Sequence, residues 1–358
     1  MHFPFPRLLA ISLLVAPVVA PAQTNLNLYG VLDAFVGSVK TTQPGGGGGT
    51  ATVVDSGGLQ TSYWGIHGSE DLGGGLKAIF TLEAFLRNDT GAAGRFDGDA
   101  FFARDANAGF EGGFGRVTLG RNTTPYFIST LSFNPLADSF VVGPMIAHTF
   151  GGASFGGASF GGAIEGDTAM SNSIRFTSKT VSGLSADFLW SAGNERDAPP
   201  DRHRNRAFDG ALFYGSGPFA ASFAWRNINL SGSIAPEDGR KQRFLLLGAS
   251  YDWKLVKLFG QYQDGKESFA VAPDIDRRTW QIGASVPVSA GNVLAAWAHT
   301  KTDDVSPTTS DKRSTWALGY DYNLSKRTDV YAMYYHDKFD DPEGPKRQVL
   351  GLGVRHRF

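Results

Sequence analysis

From Asn25 to the carboxyl terminus, apolar and polar side chains alternate in segment after segment. In GLKAIFTLEAF, Leu76, Ala78, Phe80, Leu82 and Ala84 share one parity, with Lys77, Thr81, Glu83 and Phe85 on the other. STWALGYDYNL places Trp316, Leu318, Tyr320, Tyr322 and Leu324 opposite Thr315, Ala317, Gly319, Asp321 and Asn323. LSADFLWSA and RRTWQIGASV repeat the pattern through Phe188 and Trp190 and through Trp280 and Ile282. The final stretch sets Leu350, Leu352, Val354, His356 and Phe358 against Gly351, Gly353, Arg355 and Arg357. A period of two means strands. No helical period outlasts two turns.

The connections alternate as well. Tight turns rich in Gly or Ser occur at EDLGGG, EGGFG, VSG, GSGP, DWK, VSAGN and NLSKR, and between them fall longer polar loops such as TTQPGGGGGT to DSGG, RNDTGAAGRFDGD and HDKFDDPEGPK. Seven short and eight long connections predict sixteen strands. An even number of antiparallel strands, with short turns on one rim and long loops on the other, is the plan of a transmembrane β-barrel. In hydrocarbon every backbone N–H and C=O must be paired within the protein, which a chain without spanning helices achieves only by closing its sheet. The apolar parity then meets lipid, and Arg355 and Arg357 face a wet interior. A soluble barrel or lectin-like sandwich shares the alternation but has little use for aromatics at both ends of its apolar face.

Composition narrows the class. The first residues hold Arg7, an apolar run from Leu8 to Ala20, and Ala20-Pro21-Ala22. This is a secretory leader, so residues 1–22 are expected to be removed and 23–358 to form the barrel. Loss of Arg7 leaves 32 of the 33 basic residues against 34 acidic ones, a balance of −2 that indicates no nucleic-acid partner. With no cysteine, neither disulfides nor a thiolate zinc site is available. The combination of 46 Gly with 27 Phe and 11 Tyr suits a large closed sheet with aromatic girdles.

Six segments in order carry a family resemblance: LNLYGVLDAFVG, YWGIHGSEDLGGGLKAIFTLE, GFGRVTLGRNTTPY, NSIRFTSK, LSKRTDVYAMYYH and the final GVRHRF. They resemble the trimeric general porins of Gram-negative bacteria, in the form found in beta-proteobacteria, over essentially the whole chain from Leu26 to Phe358. The resemblance implies an outer-membrane homotrimer of sixteen-stranded barrels that passes small hydrophilic solutes and ions by diffusion, without a cofactor. It also implies a third loop folded into the bore, and a terminal aromatic, here Phe358, read by the barrel-assembly machinery during insertion into lipid.

The connection of residues 122–170 is the longest and is expected to be that constriction loop; a stretch this long within a compact fold usually has a function. It carries a GGASF repeat between Phe150 and Ala163, which reads equally as a flexible flap and as low-complexity sequence in the vestibule. A pore selects by size and by charges facing across a narrow wet gap. The resemblance carries lumenal arginines to Arg104, expected to share its face with Phe102, Ala106 and Ala108, and to Arg175, flanked by outward Ile174 and Phe176. Where relatives commonly have a third arginine this chain has Tyr63, so an anion preference does not follow. Opposing charge is expected from Glu83 and from Asp138, Glu165 or Asp167 on the loop. Arg121 has the parity of outward Val117 and Leu119, and Asp105 and Asn107 are also read as outward. Such groups tolerate another subunit better than lipid, so all three are expected at the trimer contact.

A barrel enzyme is the rival class. It would need a nucleophile or activated water beside a histidine oriented by a carboxylate. His67, His148, His203, His299, His336 and His356 sit in no such motif, and none has metal-ligand spacing. The sequence therefore points to a passive channel.

Overall fold

The computed structural model describes residues 25–43, 47–152, 162–164, 166–193, 206–230, 239–270, 272–303, 310–340 and 344–358. The expected leader and its cleavage site, most of the GGASF repeat, and Glu165 lie outside the described residues. Eighteen strands form one sheet: β1 (Asn25–Thr42), β2 (Gly48–Ser56), β3 (Tyr63–Gly73), β4 (Leu76–Arg87), β5 (Ala92–Ala93), β6 (Asp105–Gly112), β7 (Gly115–Thr123), β8 (Ala169–Thr177), β9 (Leu184–Ser191), β10 (Arg206–Ser216), β11 (Phe219–Asn229), β12 (Lys241–Asp252), β13 (Lys257–Ser268), β14 (Ile275–Val288), β15 (Gly291–Asp303), β16 (Ser310–Asn323), β17 (Thr328–Phe339) and β18 (Lys346–Arg357). β2 and β3 pair with the two halves of β1 and act as one staved strand, and β5 is a two-residue hairpin piece within a loop. The barrel wall thus has sixteen antiparallel staves, closed where β1 pairs with β18 from Val31↔Arg357 to Thr42↔Lys346.

GGTATVVDS was expected as loop and is strand. Its backbone pairs with the outer half of β1, and its side chains stand largely exposed. The stave breaks after Ser56 because the Asp33 carboxylate accepts hydrogen bonds from the N–H groups of Gly58, Leu59 and Gln60 at 2.9, 3.0 and 2.9 Å, and a hydrogen bond from the Tyr331 hydroxyl. Those amides cannot also serve a ladder. The short turns fall on one rim; at EDLGGG, Gly73, Gly74 and Gly75 all have positive φ, which an L-residue would adopt only under strain.

Alternation holds along the wall. In β18, Leu350 and Leu352 are about 60% exposed to the outside, whereas Arg347 and Val349 are completely buried. Phe358 seals the seam. Its N–H donates to the Gly30 carbonyl at 3.1 Å and its carbonyl accepts from the Gly30 N–H at 3.2 Å. A Cβ on Gly30 would lie 2.6 Å from the Phe358 ring, so only glycine leaves the ring its place. Since Leu352 faces out near the middle of its strand, Leu352→Arg is expected to cost about 2–4 kcal/mol. The shift of the unfolding midpoint in lipid vesicles measures it, and Gly351→Ala serves as the inward-facing comparison.

Candidate functional site: the inner loop and the facing wall

The bore is crossed by the segment between β7 and β8. It contains two short helices, α1 (Pro125–Ser132) and α2 (Pro144–Phe150), each opened by a proline at its first turn. Thr124 caps α1, its hydroxyl accepting from the Phe127 N–H at 3.3 Å. Helix α1 packs against β10, β11 and β12, and α2 against β14, β15 and β16. The loop is therefore pressed to one side of the bore.

Apolar and polar contacts hold it there. Leu136, Val141, Val142 and Ala147 pack into the inward-facing Phe35, Tyr331, Met333, Tyr335 and Val349. Tyr126 and Met145 pack with Phe244 and Leu246. Glutamines standing inward on β13 and β14 then satisfy loop groups. The Gln261 amide donates to the carbonyls of Thr130 and Phe133 at 3.1 and 2.9 Å. The Gln263 carbonyl accepts from the Tyr126 and Thr149 hydroxyls, both at 3.0 Å. The Gln281 carbonyl accepts from the Met145 N–H at 2.9 Å. Asp209 accepts from the Tyr126 N–H at 2.8 Å while paired with Arg226 at 2.9 Å, both side chains fully buried.

His148 is locked between two hydroxyls, Nδ1 to Thr300 at 2.6 Å and Nε2 to Thr315 at 2.7 Å. The proton directions follow by elimination. Thr315 donates its single hydrogen to Asp337 at 2.5 Å, so Nε2–H must donate to Thr315, and bare Nδ1 accepts from Thr300. Burial, with the Arg313 charge adding to it, holds the imidazole well below the usual histidine range, so the ring is neutral.

Across from the loop is a wet wall. Tyr29, Thr81, Glu83, Asp105, Asn122 and Arg175 are among the residues bounding a cavity of about 560 Å³. Arg104 contacts Glu83 at 2.9 Å and Asp138 of the loop at 3.9 Å, with its guanidinium 4.2 Å above the Tyr63 ring. Thus Arg104, Glu83 and Asp138 do meet, at the point where loop and wall approach. Tyr29 donates to Glu83 at 2.5 Å. Burial pushes the Asp138 carboxyl above the usual range against the pull of Arg104. Arg175 faces inward but reaches the wall instead of the loop, with Nε and Nη2 donating to Asp187 at 2.9 and 2.5 Å.

Two expectations about faces are corrected. Asp105 and Asn107 stand opposite Glu83 and Thr81 in register, and cross-strand partners share a face, so both point into the bore. Arg104 precedes β6 and does not share its alternation, and it reaches the lumen although Ala106 and Ala108 pair with outward Leu82 and Phe80. Counting parity through the strand start inverted the two residues that follow.

Asp167 lies away from the Arg104 contact. Arg95 grips it with two hydrogen bonds of 2.7 and 2.8 Å, and Arg121 pairs with it at 2.5 Å. Burial pulls its pKa upward, but the Arg95 hydrogen bonds and the Arg95 and Arg121 charges outweigh this and hold it to about 2. Arg121 also donates to the Ala103 carbonyl at 2.6 Å and to the Ser171 hydroxyl at 3.0 Å, tying three rim segments of its own chain. In register Arg121 stands opposite outward Ala106 and keeps the parity of Leu119, as the sequence leads one to expect, while a bulge between Gly120 and Asn122 offsets the pairing with β8 beside it.

A family profile described as Gram-negative porin matches residues 9–342. Outer membrane porin protein 32 of Delftia acidovorans is 30% identical over 370 residues, covering 98% of this chain and 99% of that one. An outer membrane porin protein of Bordetella pertussis is 29% identical, covering 95% and 96%. Among solved structures, an anion-selective porin from Comamonas acidovorans superposes with a TM-score of 0.78 at 25% identity, covering 94% of this chain and 100% of that one. With a closed sixteen-stave barrel and relatives matched from end to end, this chain is a diffusion channel of the bacterial outer membrane and belongs to the Gram-negative porin family.

Proposed function

We propose that small hydrophilic solutes and ions cross this barrel through the gap between the inner loop and the wall bearing Tyr63, Glu83 and Arg104, and that this gap sets the size limit. The observation that carries the reading is the loop itself. Pinned against β10 to β18 and β1, it leaves its remaining side toward the charged cavity of about 560 Å³. Arg104, Glu83 and Asp138 act at the constriction; Arg175 shapes the field of the wall just beyond it, and Asp167 the field of the outer rim. No hydrolytic step is part of the proposal, since His148 is committed to two threonines and His336 lies on the opposite face of its strand from Asp337.

The working unit is proposed to be a homotrimer. Asp105 and Asn107, being lumenal, take no part in that contact. Arg121 would support it by fixing the rim, while outward Leu28, Leu32, Phe110 and Leu119 supply apolar surface. Phe358, at the seam, is proposed to serve as the insertion signal, and residues 1–22 as the cleaved leader.

Purified protein in a planar bilayer tests the channel. Stepwise conductance is expected, in groups of three for a trimer. Arg104→Gln with Arg175→Gln should move the reversal potential toward cations, and an unchanged potential would mean the constriction lies elsewhere.

A further inference from the structure

The sign of the constriction is legible in how its charges pair. The two arginines beside the gap, Arg104 and Arg175, are each matched by a carboxylate of their own. Arg104 has Glu83 at 2.9 Å and Arg175 has Asp187 at 2.5 Å. Two further carboxylates then remain at the same place. Asp138 approaches Arg104 from the loop at 3.9 Å, farther than Glu83 and second to it. Asp105 sits beside Glu83 in register and accepts hydrogen bonds from neutral donors, the Thr123 N–H and hydroxyl, both at 2.8 Å, and the Asn107 amide at 3.3 Å, with the Arg175 charge acting on it only through space. Tyr63, over which Arg104 lies, contributes a ring face and no charge.

The outer chamber leans the same way by an independent set of residues. This space of about 970 Å³ lies on the far side of the loop from the first cavity. Asp55, Asp89, Asp97 and Asp167 line it, against Arg87 and Arg95. Arg87 is taken by Asp97 at 2.6 Å and Arg95 by Asp99 and Asp167. Asp55 and Asp89 are left to share the more distant field of Arg87.

We infer that this channel prefers small cations, with Asp105 and Asp138 setting the sign at the constriction and Asp55 and Asp89 enriching cations at its outer mouth. The inference rests on the pore reading above and gives it a solute class. The Comamonas structure is named for the opposite preference, which belongs to that protein. A narrow gap in a low-dielectric wall focuses the field of uncompensated charges on whatever passes. One such charge about 6 Å from the path through water enriches a monovalent cation by about 3-fold and depletes an anion by as much.

The test is the zero-current potential of the full-length trimer with 0.1 M KCl on one side and 0.01 M on the other at pH 7.5. Salt at that level leaves the field incompletely screened. The expected sign is that for potassium, with a permeability ratio of about 10 from one such charge. Asp138→Asn and Asp105→Asn should each move the potential toward chloride, and Arg104→Gln should move it further toward potassium. Asp55→Asn with Asp89→Asn leaves the loop untouched and should reduce conductance at 0.01 M more than at 1 M, where screening removes the mouth effect. A chloride-preferring wild type overturns the inference, as does a potential that none of the constriction variants moves. Absence of any conductance step would sink the channel reading instead, so the two failures are distinguishable.

Discussion

Arg226→Ala is expected to destabilise the barrel by about 3–5 kcal/mol, because it strands a fully buried carboxylate. Asp209 has Arg226 as its charge partner at 2.9 Å, and its other oxygen receives the Tyr126 N–H that opens helix α1. Arg226 also donates to the Asp167 carbonyl at 3.3 Å, so one guanidinium joins the β11 wall to both ends of the inner loop. Removing it leaves the charge on Asp209 without its partner and frees the attachment at Asp167, while the Tyr126 N–H keeps Asp209 as its acceptor. Urea unfolding of the detergent-solubilised protein reads the stability, and open-channel current noise reads the loop. The control is Arg226→Met combined with Asp209→Asn, which removes both charges at similar volume and should recover most of the loss. If the double variant is as unstable as Arg226→Ala, packing and not charge stranding is the cause.

The second large effect is a pH dependence of loop seating. His148 is neutral in the seated loop because burial and Arg313 oppose its charge; Asp337 pulls the other way without prevailing, and His299 adds to the opposition. A released loop would return the ring to about 6.5. The seated pKa is thus below the released one. Seating is at full strength above about pH 6.5 and weakens as pH falls below it, because only the released form gains a proton. Two pH units below that value the balance shifts toward release by at most about 100-fold. Protonation at Nδ1 would also set N–H against the Thr300 hydrogen and require the Thr279–Thr300 pair to reverse. The expected result is a lower voltage for channel closure at pH 4.5 than at pH 7.5. His148→Gln keeps one acceptor and one donor and cannot charge, so its closure voltage should stay flat across that range. A variant that follows the wild type would assign the dependence to carboxylates.

Much of this protein could be read along the chain. Alternation in β14, β16 and β18 identifies the lipid face, because a sheet wetted on one side and oiled on the other leaves no second way to place Trp280, Trp316 or Leu352. Seven short turns and eight long connections give sixteen staves for the same reason: each crossing must be a strand that returns. The length of the connection after β7 marks it as functional. The inward glutamines QYQ and WQI carried a signal that went unused, since amides at Gln261, Gln263 and Gln281 on a lumenal parity imply something polar to hold.

The rest needed the closed barrel. Asp105 and Asn107 were assigned to the wrong face because alternation is a property of a strand, and β6 begins only at Asp105; Arg104 belongs to the incoming loop. Register against β4 decides the matter, and register is a relation between segments. The same holds for charge. Arg104 and Arg175 identify a basic wall when read alone, yet Glu83, Asp187, Asp138 and Asp105 are brought to them from other strands and from the loop. Local pattern determines which side of a strand is apolar, since that depends only on the residue and its neighbours two away. Which groups face one another across the water, and hence what the channel admits, depends on closure, which places segments distant in sequence within a few ångströms.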